Sequence, residues 1–352
     1  MAWTRSSNQD PAVDHRGWPK NKLRQYSARE EQQVLRIHRE LQKDPLQFFA
    51  GASAIAQTYR ARYPSDHQPS LRFIGRTLAK YGVAQSPKVR RKGVSRYLHY
   101  PEYSLNRLGK SLLEIDFIGK KFITGRTEPV NFLAFSLRYP RKLKYFHRVE
   151  SESSPVVIKQ CQEFFRRFEK PTVVKIDNSL SFAGSTPWPR VLGSVVMFLL
   201  HQRVIPVFTA PRKPWNQASV EGANSIFTRK FWRRFTFTSL DQIDTKLQHF
   251  NEAYARYLDY KAPRFTSSRR GPFIPKVYFI RKVYEDPEAG AGYIDVVKEH
   301  IPLPPSYVNL FVLAQWNLKT ETLTVYFENE HKLKIINRAS MKLNKTFKQR
   351  VY

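Results

Sequence analysis

Apolar residues near the start of the chain recur in the rhythm of short helices. Ser27, Ala28, Arg29, Glu30 has the Ser-x-x-Glu spacing in which a hydroxyl and a carboxylate cap each other's backbone amides, and Val34, Ile37 and Leu41 follow at helical spacing. After Gly51 a second helix can run through Ile55 and Tyr59 towards Pro64. A third begins at Ser70, with Leu71, Ile74 and Leu78 on one face and Gly82 placed to end it. Arg72, Arg76 and Lys80, spaced four apart, fall on its opposite side. Residues 1–24 carry no period and are expected to form a flexible basic arm, so the pattern places a three-helix domain over 25–84.

From Ser111 the pattern shortens to strands: LLEIDFIG, VNFLAFSLRY and KLKYFHRVE. A helix follows from about 154 to 169 with Val157, Cys161, Phe164, Phe165 and Phe168 on its inner side, and TVVKID is a strand ending at Asp177. Next come a loop with Gly184, Pro187 and Pro189, an apolar helix over 190–202, the strand VIPVFT, and two long helices over 216–234 and 240–258. Strands followed by alternating helices and strands describe a mixed-sheet α/β domain, here over 108–260. The polar, proline-rich stretch after Lys261 is expected to be a linker over 261–291. Short strand-like runs at even spacing then suggest a small β-barrel over 292–352.

Charge changes this picture from architecture towards a partner. Sixty Lys and Arg stand against 29 Asp and Glu, a net +31 interspersed with aromatic residues, and such a field attracts polyanions. Nucleic acid is therefore the first candidate partner, with a ribosome-associated protein or a merely basic chain as the bland alternatives, and the three N-terminal helices fit a helix-turn-helix whose last member presents Arg72, Arg76 and Lys80 to the major groove of double-stranded DNA. A small bundle with a solvated basic stripe would have the same pattern. The linker over 85–107 is crowded with cations, including Arg90, Arg91 and Lys92, which suits contact with phosphates. The single cysteine, Cys161, excludes a disulfide framework or a cysteine-based zinc site within one chain. The longest apolar run is about half the roughly 20 residues that a bilayer-spanning helix needs, so no membrane partner and a cytosolic, nucleoid-associated location are expected.

Carboxylates at strand ends stand out in so basic a chain. Asp116 lies in the first strand of the α/β domain, Asp177 closes the fourth, and Glu221 sits in the following long helix. Such a cluster repels itself unless a hard cation joins it; Mg²⁺ prefers a few carboxylates plus water and phosphate oxygens. Two ions roughly 3.5 to 4 Å apart can activate an attacking oxygen and stabilise a leaving one at phosphorus. Glu114 shares the side-chain phase of Asp116 and is a competing ligand. On the Glu221 helix, Asn224, Ser225 and Thr228 lie near the same face, with Arg229 and Lys230 beyond; with Arg212 and Lys213 they are candidate DNA contacts.

The strings LLEIDFIG with Asp116, KIDNSLSF with Asp177 and Asn178, and PWNQASVEGANSIFTRKFW with Asn216 and Glu221 resemble the three motifs of the retroviral integrase superfamily. Bacterial insertion-sequence transposases with the integrase core are the nearest resemblance. It implies an RNase H-like catalytic core between a helix-turn-helix and a small barrel, with Asp116, Asp177 and Glu221 as metal ligands and catalytic residues. It also implies two Mg²⁺ or Mn²⁺ ions, Asn178 supporting Asp177 or nearing DNA, 3′-end cleavage and strand transfer, and a homo-oligomer, dimer or larger, on DNA. A transposase-derived DNA-binding protein without catalysis, and a nuclease that cuts without joining, share these features. Two departures affect the rim of the site: 43 residues separate Asp177 from Glu221, a longer gap than the resemblance implies, and Ser179 stands where a glycine usually follows.

Overall fold

A computed structural model describes residues 26–83, 100–168, 170–184, 188–211, 217–262, 273–288 and 290–344. The chain divides into two compact units, Met1–Lys88 and Val89–Tyr352. In the first, helices α1 (Ala28–Lys43), α2 (Ala52–Arg62) and α3 (Leu71–Lys80) enclose Val34, Ile37, Ile55, Tyr59, Ile74 and Leu78. The expected capping box forms, with the Ser27 amide donating to Glu30 Oε2 at 2.5 Å, and Ser70 Oγ caps α3 by accepting from the Phe73 amide. Leu71 departs from expectation: it is 54% exposed, and Thr77 takes an inward position on α3.

The second unit is organised by one nine-stranded sheet. Its strands are β1 (Leu112–Lys121), β2 (Val130–Tyr139), β3 (Leu143–Val149), β4 (Val173–Ile176), β5 (Ile205–Phe208), β6 (Lys276–Lys282), β10 (Phe311–Asn317), β11 (Thr322–Asn329) and β12 (Lys332–Ser340), in the order β3-β2-β1-β4-β5-β6-β10-β11-β12. The pairs β1–β4, β4–β5 and β5–β6 are parallel and the others antiparallel, so the sheet is mixed. Its first five strands have the antiparallel start and parallel continuation expected of an RNase H-like core. A second, three-stranded sheet comprises β7 (Tyr284–Glu285), β8 (Gly292–Val296) and β9 (Glu299–Leu303).

Alternation along the strands decides what covers each face. Leu113, Ile115, Val174, Ile176 and Phe208 share a core with Val157, Cys161, Phe164 and Phe165 of α5 (Ser154–Arg167) and with Val195, Val196 and Leu199 of α7 (Ser194–His201). On the other face lie α8 (Ala218–Lys230), packed on β1 and β2, and α9 (Leu240–Tyr257), packed on β3. Phe132 of β2, Phe146 of β3, Phe227 of α8 and Phe250 of α9 pack with ring centroids 4.9 to 6.1 Å apart, which fixes the seat of α8. Asn251 of α9 bonds both the amide and the carbonyl of Phe146, at 3.0 and 2.9 Å.

The expected linker over 261–291 and separate barrel over 292–352 need correction. Residues 276–282 form β6, parallel to β5, and β10, β11 and β12 carry the same sheet onward. The reason is burial on both sides. Val277 and Phe279 of β6 join the core under α5 and α7, while Tyr278 and Ile280 join a second core with Leu112, Val173 and Val207. A strand buried on both faces cannot serve as a linker.

Candidate active site

Strand register lines up a polar row across the sheet. Lys144 on β3 pairs with Ser136 on β2, Ser136 with Glu114 on β1, and Glu114 with Lys175 on β4. Glu114 is fully buried, and its carboxylate accepts from the Val220 amide at 3.0 Å and from Arg138 at 3.4 Å, with the Lys175 ammonium at 3.6 Å. Val220 is the third residue of α8, whose preceding residue, Gln217, supplies no side-chain cap. Glu114 therefore caps the helix from a neighbouring strand, taking one of its orphan amides and meeting the positive end of its dipole. Lys144 holds the same turn by donating to the Ser219 carbonyl at 3.0 Å and its hydroxyl at 2.6 Å, and it also bonds Ser136 Oγ. Burial lowers the Lys144 ammonium to about 8. Glu114 is thus a structural anchor of α8, its oxygens engaged by Val220, Arg138 and Lys175.

Two residues further along β1 the electrostatics invert. The Asp116 carboxyl is pushed up to about 7, first by burial and then by the negative charges of Asp177 and Glu221; hydrogen bonds with the Phe117 backbone and Asn224 pull it the other way. Asn224 Nδ2 donates to Asp116 Oδ2 at 3.1 Å, one of few favourable contacts the carboxylate has. Asp177 sits immediately after β4, and its Oδ1 accepts from the Ser179 amide at 3.0 Å, as a strand-ending aspartate does in an Asx turn. Glu221, half-buried in the first turn of α8, is raised by burial and by Glu114 and lowered by Lys175. Three carboxylates from β1, the end of β4 and α8 therefore act on one neighbourhood. The donor set is all oxygen, which suits a hard divalent ion. The side chains do not, however, close into a cage: among the described residues no three His, Cys, Asp or Glu groups are gathered tightly enough to hold a metal.

The remaining expected contacts separate into inward and outward groups. Asn178 is inward: its Nδ2 donates to the Thr209 carbonyl at 2.7 Å and its Oδ1 accepts from Arg281 at 3.0 Å, so both ends of the amide are engaged in holding the Asp177 turn. Asn224 likewise faces Asp116. Ser225, Arg229 and Lys230 are exposed on α8, with Thr228 half-buried beside them. Arg72 and Arg76 are exposed on α3, whereas Lys80 spends its ammonium on Glu31 at 2.8 Å. Arg90, Arg91, Lys92, Arg212, Lys213 and Asn216 lie outside the described residues.

One residue of the site escaped sequence reasoning. Arg281 of β6 is buried, and besides Asn178 it donates to the Thr209 carbonyl at 3.1 Å and the Asp295 carbonyl at 2.7 Å. Burial lowers its guanidinium to about 10. It ties the Asp177 turn to β8, and the only signal for it was an arginine inside the apolar run VYFIRK. The short helix α6 (Leu180–Ala183) ends at Gly184, which has φ +84, and any Cβ at Gly193 would meet the Ala183 carbonyl at 2.4 Å, so both positions require glycine.

No family model matches the chain, and no curated protein matches it. Solved structures that superpose on it include the catalytic core domain of BIV integrase, 13% identical, covering 45% of this chain and 88% of that one with a TM-score of 0.32. Another is the simian T-cell lymphotropic virus intasome in complex with PP2A regulatory subunit B56 gamma, 10% identical, covering 83% of this chain and 96% of that one with a TM-score of 0.36. No helix among the described residues is long and apolar enough to cross a membrane.

Proposed function

We propose that this chain is a DNA transposase of the integrase type, which frees a 3′-hydroxyl at an element end and joins it to target DNA. The observation that carries the reading is the Asp116 carboxyl, buried in β1 and held within the field of Asp177 and Glu221 at an electrostatic cost that the hydrogen bonds from Phe117 and Asn224 offset only in part. Asp116, Asp177 and Glu221 would hold two Mg²⁺ or Mn²⁺ ions. Such ions, when bound, polarise the scissile phosphate and stabilise the attacking and leaving oxygens. Asn224 orients Asp116, Glu114 and Lys144 set the pitch of the helix bearing Glu221, and Arg281 with Asn178 steadies the turn bearing Asp177. The exposed Arg229 and Lys230 of α8 would take phosphates beside the site, and Arg72 and Arg76 of the N-terminal unit would take part in reading element ends as a helix-turn-helix. Water and the 3′-hydroxyl act as successive nucleophiles, so no covalent enzyme intermediate is needed, and joining two ends calls for a dimer or larger assembly on DNA.

One observation favours a second reading. The three carboxylates are not gathered tightly enough to hold a metal as they stand, which fits a transposase-derived regulatory or architectural protein that binds DNA without cutting it. A strand-transfer assay with labelled DNA ends and Mg²⁺ or Mn²⁺ separates the two. Joined products from the wild type that vanish in Glu221→Gln support the transposase. Tight DNA binding with no metal-dependent product from either protein supports the binding protein, and cut but unjoined DNA points to a nuclease.

A further inference from the structure

The β11–β12 hairpin is closed by residues poorly suited to its geometry. Asn329 pairs with Lys332, which leaves only Glu330 and His331 to make the turn, and both lie in the left-handed region with φ 47 and 65. Two-residue turns of this kind favour Asn-Gly, because a Cβ is strained there. What the strain accomplishes is visible next to it. The His331 ring lies 4.5 Å from that of Tyr103, and the Arg107 guanidinium lies 4.0 Å from the same Tyr103 ring. Tyr103 is itself held in place: Glu328 of β11 accepts from the Tyr103 and Ser104 amides at 3.2 and 2.7 Å, fixing the short helix α4 (Glu102–Leu105) to the sheet.

These three planar groups border a pocket of about 400 Å³, walled on the sheet side by Tyr278 and Tyr326 and left open at Leu333, which is 47% exposed. Arg107 stands exposed at its edge, whereas the carboxylate of Glu328 is engaged by α4. Flat aromatic faces, room for a ring system and a guanidinium beside them are the features with which proteins bind unpaired nucleotides: a base stacks in the pocket while a phosphate meets the cation. An acidic peptide would use the cation but leave the stacked rings without purpose. We infer that this pocket is a second nucleic-acid site, in which an unpaired base of single-stranded DNA stacks on the Tyr103, His331 and Arg107 platform. The site goes beyond the proposed transposase chemistry and needs neither metal nor catalysis.

The turn supplies an unusual test, since relieving its strain should harm binding. In His331→Gly the backbone conformation becomes easy while one ring of the platform disappears. The expected result is a Tm that holds or rises, together with affinity for a fluorescein-labelled oligothymidylate weakened about tenfold in fluorescence anisotropy without metal. Affinity for a blunt duplex of the same length should stay as in the wild type. Tyr103→Leu, which keeps bulk but removes the stacking face, should show the same selective loss. Single-strand affinity unchanged in both variants, or a parallel loss on duplex DNA, would overturn the inference.

Discussion

Glu114 and Asp116 stand two residues apart, on one strand and one face of one sheet, and the fold treats them in opposite ways. Glu114 is the more deeply buried of the two, yet every oxygen has a partner: the Val220 amide, Arg138 and Lys175. Asp116 has the Asn224 amide and the Phe117 backbone, and otherwise faces the charges of Asp177 and Glu221, so its carboxyl rises to about 7. Burial alone does not mark a functional acid. A buried carboxylate whose charge is met by the fold is architecture, whereas one left facing like charges is the candidate for chemistry.

The most disruptive way to probe this contrast is Glu114→Gln, which leaves Lys175 and Arg138 without their counter-charge and weakens the cap on α8. The expected loss is about 3–5 kcal/mol in chemical denaturation. A variant as stable as the wild type would show that the row does not hold the helix. Arg281→Met extends the test to the other compensated group near the site. It strands Asn178 Oδ1 and the Asp295 carbonyl and leaves the Thr209 carbonyl with Asn178 alone, and should cost about 2–4 kcal/mol and speed hydrogen exchange in the turn after Asp177.

Asp116→Asn should move stability the other way. In the folded chain this carboxyl titrates near 7 against 3.8 for the ordinary group. The folded state thus binds more protons than the unfolded state between those values, and wild-type stability falls as pH rises through that window. With chelator present the variant should match the wild type near pH 4 and exceed it by about 1–3 kcal/mol at pH 8, a figure reduced for partial solvent access. Equal stability at pH 8 would remove the contrast with Glu114. The smallest effect is expected from Lys144→Met, within about 1 kcal/mol at neutral pH, because it gives up hydrogen bonds to Ser219 and Ser136 while releasing a buried charge. Since the Lys144 ammonium titrates near 8, below its ordinary value of 10.5, the wild type should gain on this variant as pH rises from 8 to 10.5.

Much of this was legible in local pattern. The Ser27 capping box, the three N-terminal helices, the strand triplet and the ends of β4 and β5 follow from spacing and turn chemistry alone. The positions of Asp116, Asp177 and Glu221 within those elements could be read with them. What escaped depends on partners distant in sequence. Glu114 and Asp116 have the same phase and the same chemistry, and only the register with Lys175 and the arrival of Val220 tell anchor from cleft. Asn178 is engaged by Arg281, 103 residues later, a partner that local pattern does not reach. The helical period points Leu71 inward, although the core of the N-terminal unit closes over Thr77 instead. The C-terminal strands suggest a separate barrel because a period of two does not say which sheet a strand joins.

A shared sheet limits how the molecule can be made and cut. In chain order β5 precedes its parallel partner β6 by the whole of α8 and α9, so any sheet formed before Lys276 is added has an open parallel edge. Open edges of apolar strands are templates for pairing with other chains. A fragment ended after α9 would keep that edge permanently and lose Arg281 with it. Such a fragment should aggregate where the full chain does not.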